Sequence, residues 1–399
     1  MTSRERVLRA IDRREPDRTP LDLGGSIVTG ISAMGYGRLK RHLGLPGPVR
    51  VTNIILLLAE VEQELLERWR IDVLPLNRYE AAPGAPLDRG WVARPLPDGR
   101  PALFPEGFQP VVSSDGSWEI RDSGIVTHRL SPESGSFIPA RFPLAGAGLE
   151  ALEGFQTPRI SDEELDFLHR AARRLYEDTD KAIFGWFNGS IFEQAQFLCG
   201  WDDFFLRLAA DPPFVQDLLA RLTEAVILDL ELYLQAVGKY IQVVGFGDDF
   251  GFQNTLQISP ALFRSLFKPL LARIYATAHA RTEARVFLHS CGSVHEVIED
   301  FIEIGVQVLN PVQTAAAGMD PESLKRRFGE RICFWGGGAE AQGVLSLGSP
   351  EEVRRDVRRR LRVFGEGGGY VFAPIHNLQA DVPPQNVVAM YEEALRAAG

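Results

Sequence analysis

His289 and Cys291 stand two residues apart in Val286-Phe287-Leu288-His289-Ser290-Cys291-Gly292, where a short apolar run gives way to a polar turn. In extended or tightly turning backbone, residues i and i+2 point the same way. An imidazole nitrogen and a sulfur placed there can both reach one ion at the roughly 2.0 to 2.3 Å of zinc coordination. A second turn of this kind, Phe372-Ala373-Pro374-Ile375-His376-Asn377, follows another β-like run. His289, Cys291 and His376 are therefore candidate metal ligands, two neutral imidazoles and a thiolate, with a fourth position left to substrate. The competing reading makes Cys291 a small buried hydrophobe and each histidine a hydrogen-bonded strand end.

Carboxylates lie at similar places. Asp248 and Asp249 close a run just after Phe246, where either could be a fourth ligand, a proton donor or a substrate anchor. Glu193, in Gly189-Ser190-Ile191-Phe192-Glu193, falls in the first turn of a helix, where a carboxylate also favours the helix dipole. Asn188, Asn310, Asn377 and Gln379 sit at or beside strand ends and are expected to bind substrate. His295 fits a supporting or surface role, and His42, His128, His169 and His279 fall in helical or hairpin segments as structural residues. Gly336-Gly337-Gly338 suggests close backbone approach to a ligand, without the spacing of a nucleotide loop. No Ser-His-Asp order stands out.

These residues need a scaffold that gathers distant strand ends. Candidate strands start near residues 18, 71, 181, 241, 285, 306, 331 and 369, each followed by a helical pattern, including one expected from Ile55 to Arg70. The pattern predicts an α/β fold, a single (β/α)8 TIM barrel over residues 1–399, with its chemistry at the C-terminal ends of the strands. On that fold the fifth and eighth strands bring His289, Cys291 and His376 to one face. A doubly wound sheet is the runner-up, because a count of strands does not show closure. Residues 78–146 carry Asp-Gly and Ser-Gly turns between alternating segments, which predicts a β-hairpin-rich insertion after the second strand, roofing the site. Ser161 with Glu164, and Ser349 with Glu352, are capping-box pairs that open helices.

With 45% hydrophobic and 24% charged residues, the 399-residue chain can bury a large core. A net charge of -10 argues against nucleic acid as a partner. The arginines from Arg354 to Arg362 follow a helical pattern whose apolar face is Val353, Val357, Leu361 and Phe364, so they read as a solvated face. Cysteines only at 199, 291 and 333 and a charged start point to the cytoplasm, and no apolar run is long enough to span a membrane.

Along nearly its whole length the sequence resembles the uroporphyrinogen decarboxylase superfamily. The resemblance rests on Arg4 to Ala10, Pro16-Asp17-Arg18-Thr19-Pro20, Ile258-Ser259-Pro260 with Lys268-Pro269, and Ala380 to Val387. It implies one (β/α)8 barrel and either the decarboxylation of haem synthesis or zinc-dependent methyl transfer between corrinoid proteins and thiols. The decarboxylases carry an arginine-rich motif after the first strand, but Leu21 to Gly37 holds no arginine. Their aspartate after the second strand has no clear counterpart here, and their tyrosine above the third corresponds to Phe197. The methyltransferase branch has His-x-Cys-Gly after the fifth strand, matched by His289, Cys291 and Gly292, and a cysteine where this chain has His376. That position also carries a functional histidine in the decarboxylases. The resemblance thus favours a zinc-dependent methyltransferase-like enzyme acting on a small molecule, with a corrinoid held by a partner protein. A uroporphyrinogen decarboxylase and a non-catalytic binding barrel are the alternatives, and no oligomeric state is indicated.

Overall fold

A short strand that is apolar on both faces is stable only with a layer on each side. In the structure, a computed structural model in which residues 1–397 are described, such runs form a seven-stranded sheet. Its order is Tyr370–Val371, Cys333–Trp335, Val308–Asn310, Arg285–His289, Val243–Gly247, Ala182–Asn188 and Val73–Leu76. Every neighbouring pair is parallel.

The sheet is curled. Phe184 and Trp335 lie on strands four places apart, which a flat sheet would separate by roughly 19 Å, yet their ring centroids are 5.7 Å apart and Phe287 touches both. Inward residues of all seven strands join one apolar cluster, into which the helix Ser3–Ile11 inserts Val7, Ala10 and Ile11. Both edges of the sheet bond to the same stretch. Phe372 N–H donates to Pro20 O, Asp22 N–H to Phe372 O, and Asp72 N–H to Leu21 O at 2.8–2.9 Å. Helices cover the outer face, and the Ser349 capping box opening Pro350–Gly365 is complete in both directions. Arg354, Arg355, Arg358 and Arg359 pair with glutamates around that helix.

Three local expectations change. Only Gln63–Arg68 of the predicted 55–70 helix is helical, because Asn53 Oδ1 caps Leu56 N–H at 2.9 Å and Leu57 has a φ of 47°, which no α-helix contains. Val49–Asn53 and Leu58–Ala59 instead pair in a sheet that also holds Pro101–Pro105 and Trp91–Pro95. A further sheet, antiparallel throughout, runs from Val111–Val112 to Ile138–Pro139. The helix expected directly after the strand near residue 285 starts only at Ile298, since Ser293 is tied to Phe252 O and Ala317 O. Ser161 caps Glu164 N–H, but the Glu164 carboxylate turns to Arg78 and leaves that box half made. No helix among the described residues is long and apolar enough to cross a membrane.

Candidate metal centre

The strand Arg285–His289 delivers His289 to the sheet's C-terminal edge, and the turn beyond it swings Cys291 back over the same edge. Two glycines make that turn possible. Gly292 has a φ of +82°, and a Cβ on Gly251 would lie 2.4 Å from Cys291 O, so loops 248–252 and 289–293 pack backbone to backbone. Cys291 Sγ lies 3.2 Å from His289 Nε2. His376, after Tyr370–Val371, places its ring 5.3 Å from that of His289. One ligand atom from each of His289, Cys291 and His376 falls within 4.8 Å of the others. That spacing and donor set fit a single zinc-like ion.

The ring orientation of His289 is fixed from behind. Asn310 Nδ2 donates to Trp335 O at 2.9 Å, which leaves Asn310 Oδ1 to accept from His289 Nδ1 at 2.5 Å. The proton is therefore on Nδ1, and the Nε2 lone pair faces Cys291. Burial and the neighbouring His289 push the pKa of His376 down to about 4, so this imidazole is neutral at ordinary pH. Burial and Asp249 raise the Cys291 thiol well above its usual range, which a bound cation would reverse.

The carboxylates divide their labour. Asp248 is fully enclosed, and its oxygens accept from the N–H groups of Ile191, Phe192 and Glu193, which pins the helix Phe192–Cys199 to the strand end. Burial raises its pKa to about 7 against those hydrogen bonds. Asp249 Oδ1 accepts from Cys291 N–H at 2.7 Å and lies 3.8 Å from His289 Nε2. Burial, then Asp249 and Asp248, drive the Glu193 pKa well above the carboxylate range.

The amides expected to bind substrate are distributed otherwise. Asn310 is wholly buried, and both ends of its side chain are used by His289 and Trp335. Asn377 Oδ1 accepts from Gly30 N–H and its Nδ2 donates to Ile27 O, making it a strut for the loop after Leu23. Gln379 is exposed and donates to Asn377 O. Asn188 is exposed at a φ of 79°, beside Ser190 Oγ. The glycines at 336–338 leave room for the chain itself, since Cβ atoms there would meet Pro374 O, Val312 and Ala373 O. His295 contacts Ser293 and Gly318, while His169 and His279 bond to backbone carbonyls. Sequence reasoning passed over Trp186, whose indole meets His289 edge-on at 6.5 Å, and Asp22, which accepts from Trp335 Nε1. Burial lifts the Asp22 pKa to about 6. Period-two alternation from Phe184 would have turned Trp186 inward.

Residues 137–396 match the family model described as uroporphyrinogen decarboxylase (URO-D). The uroporphyrinogen decarboxylase of Methylococcus capsulatus is 26% identical over 270 residues, 62% of this chain and 73% of that protein. Its counterpart from Thioalkalivibrio sulfidiphilus is 26% identical over 249 residues, 59% of this chain and 66% of that protein. Among solved structures, a methyltransferase from Methanosarcina mazei superposes with a TM-score of 0.61 over 99% of this chain and 98% of that one. At 17% identity, this is a likeness of fold.

Proposed function

The chain belongs to the uroporphyrinogen decarboxylase family, and from that premise we propose a zinc-dependent, methyltransferase-like enzyme. It would move a methyl group between a corrinoid, or a methoxylated small molecule, and an acceptor. The observation that carries this reading is the convergence of His289, Cys291 and His376. In it, Pro20–Asp22 acts as the eighth stave that closes the sheet into a (β/α)8 barrel, residues 1–399 form one domain, and residues 78–146 are an insertion beside the mouth. The protein works in the cytoplasm, and the corrinoid arrives on a separate protein.

Zinc held by these residues supplies Lewis-acid chemistry that lowers the pKa of a substrate sulfur or oxygen. The chain does the rest. Asn310 holds the His289 proton on Nδ1, and Asp249 anchors the Cys291 backbone. Glu193, with its pKa driven up, keeps a proton to exchange with the substrate heteroatom. Asp248 fixes the helix that carries Glu193.

The second reading, uroporphyrinogen decarboxylation, is favoured by the names of the curated relatives. Against it, Leu21 to Gly37 holds no arginine for the substrate carboxylates. The zinc-loaded protein should demethylate methylcobalamin in the presence of a thiol acceptor, followed in the visible spectrum, and Cys291→Ser and His376→Ala should each abolish the change. Formation of coproporphyrinogen from uroporphyrinogen, with methylcobalamin left intact, would reverse the two readings.

A further inference from the structure

A cavity of about 640 Å3 lies against the strand Val73–Leu76. Its walls include Leu74, Leu66 of the helix Gln63–Arg68, and Phe167, Ala171 and Leu175 of the helix Asp162–Asp178. A narrower space of about 50 Å3 is lined by Phe184 and by Trp186, the indole that meets His289. Both spaces are bordered by Ser26, Ile27, Thr52, Asn53, Leu76 and Asn77, so they adjoin as cavity and neck, and the neck ends on Trp186, whose ring centroid lies 6.5 Å from that of His289.

The charges along this path cancel. The ionisable residues of the cavity are Arg50 and Arg174 against Glu60 and Asp88, and those of the neck are Arg78 against Glu80. Arg50 is further occupied, stacked 4.2 Å over Trp91 and paired with Glu60 at 3.2 Å, while Arg78 pairs with Glu164. A polyanion would find no surplus positive charge here, whereas an uncharged chain or ring would find aliphatic and aromatic walls. The volume falls in the range of small-molecule pockets.

We propose that this crevice receives the body of the substrate whose reacting sulfur or oxygen sits at the metal, and that the substrate is an uncharged, elongated, mainly apolar molecule. The inference rests on the metal-centre reading for its reacting end and on the cavity alone for its body. Thr52 at the neck and Ala171 in the far wall are half-buried positions that set which bodies fit.

The test uses N-phenylnaphthylamine, an uncharged apolar fluorophore, beside anilinonaphthalene sulfonate, a similar molecule with a negative charge. The wild-type protein should bind the first at one site per chain and the second at least about tenfold more weakly, and Thr52→Trp or Ala171→Trp should weaken the first about tenfold. Zinc content should be unchanged in both variants. In the zinc-loaded protein, lengthening a competitor from ethanethiol to hexanethiol should tighten binding about fourfold per methylene, and Thr52→Trp should flatten that slope. Equal or tighter binding of the sulfonate, or indifference of the uncharged probe to both tryptophans, overturns the proposal. Fluorophore binding in a protein that takes up no zinc would keep the assignment of the cavity and remove the metal reading. Stoichiometric zinc without fluorophore binding would do the reverse.

Discussion

On the proposed reading His289 serves as a ligand because Asn310 has no choice of orientation. With its amide nitrogen committed to Trp335 O, its oxygen must accept from Nδ1, and the free lone pair of His289 is turned toward Cys291. Such supporting bonds typically carry 10–100-fold in metal affinity. Asn310→Ala should therefore weaken zinc binding by about that factor, measured by competition with a chelating dye, with the melting temperature as a check on folding. Affinity equal to wild type would show that the ring is held by something else. That His289 and Cys291 face the same way was legible in the sequence from the i, i+2 rule, and the second polar turn at His376 gave the pair its weight. The part played by Asn310 was not, because a strand-end amide is equally suited to a substrate, and only the fixed donors around it decide. The same holds for Asp248 and Asp249, adjacent in the chain but turned to the helix Phe192–Cys199 and to the Cys291 turn respectively.

At the scale of elements, the segment around Leu21 joins the sheet's two edges with few backbone bonds, and it is secured by a buried carboxylate. Asp72 is completely buried and accepts from Arg6 Nη1, from Arg18 Nη1 and from Leu21 N–H. Removing one partner from such a buried arrangement typically costs about 3–5 kcal/mol. Asp72→Ala should lower stability by up to about that amount in urea unfolding, since the Leu21 N–H loses its acceptor and Arg6 and Arg18 each lose a buried one, keeping Asp17 and backbone carbonyls respectively. A loss below about 1 kcal/mol would mean that water replaces the carboxylate. Seven of the eight expected strands were legible because their apolar runs are short and their ends polar, whereas the one expected near residue 18 is reduced to a single bridge between Leu21 and Phe372. The 55–70 segment misled because its apolar spacing suits a helix, while the Asn53 cap and the left-handed Leu57 divert it into a strand pair. Spacing reports which face is buried, not whether one residue will break the helix.

For the whole molecule, the curl of the sheet is what makes remote sequence local. Phe184, Phe287 and Trp335 pack against one another from separate strands, and the same curl sets His376 beside His289. Strand count predicted parallel strands alternating with helices but could not tell a curled sheet from a doubly wound one; contact across the interior is written in no single run of residues. The cavity beside Val73–Leu76 was not legible at all, since its walls come from segments far apart in the chain, one of them the stretch misread as helix. The central claim is that His289, Cys291 and His376 hold one metal ion, and metal analysis of the purified protein by mass spectrometry, wild type against Cys291→Ser, tests it most directly. The account predicts about one zinc per wild-type chain and a folded variant that has lost it; a folded wild type that takes up no zinc, or a variant that retains it in full, would contradict the account.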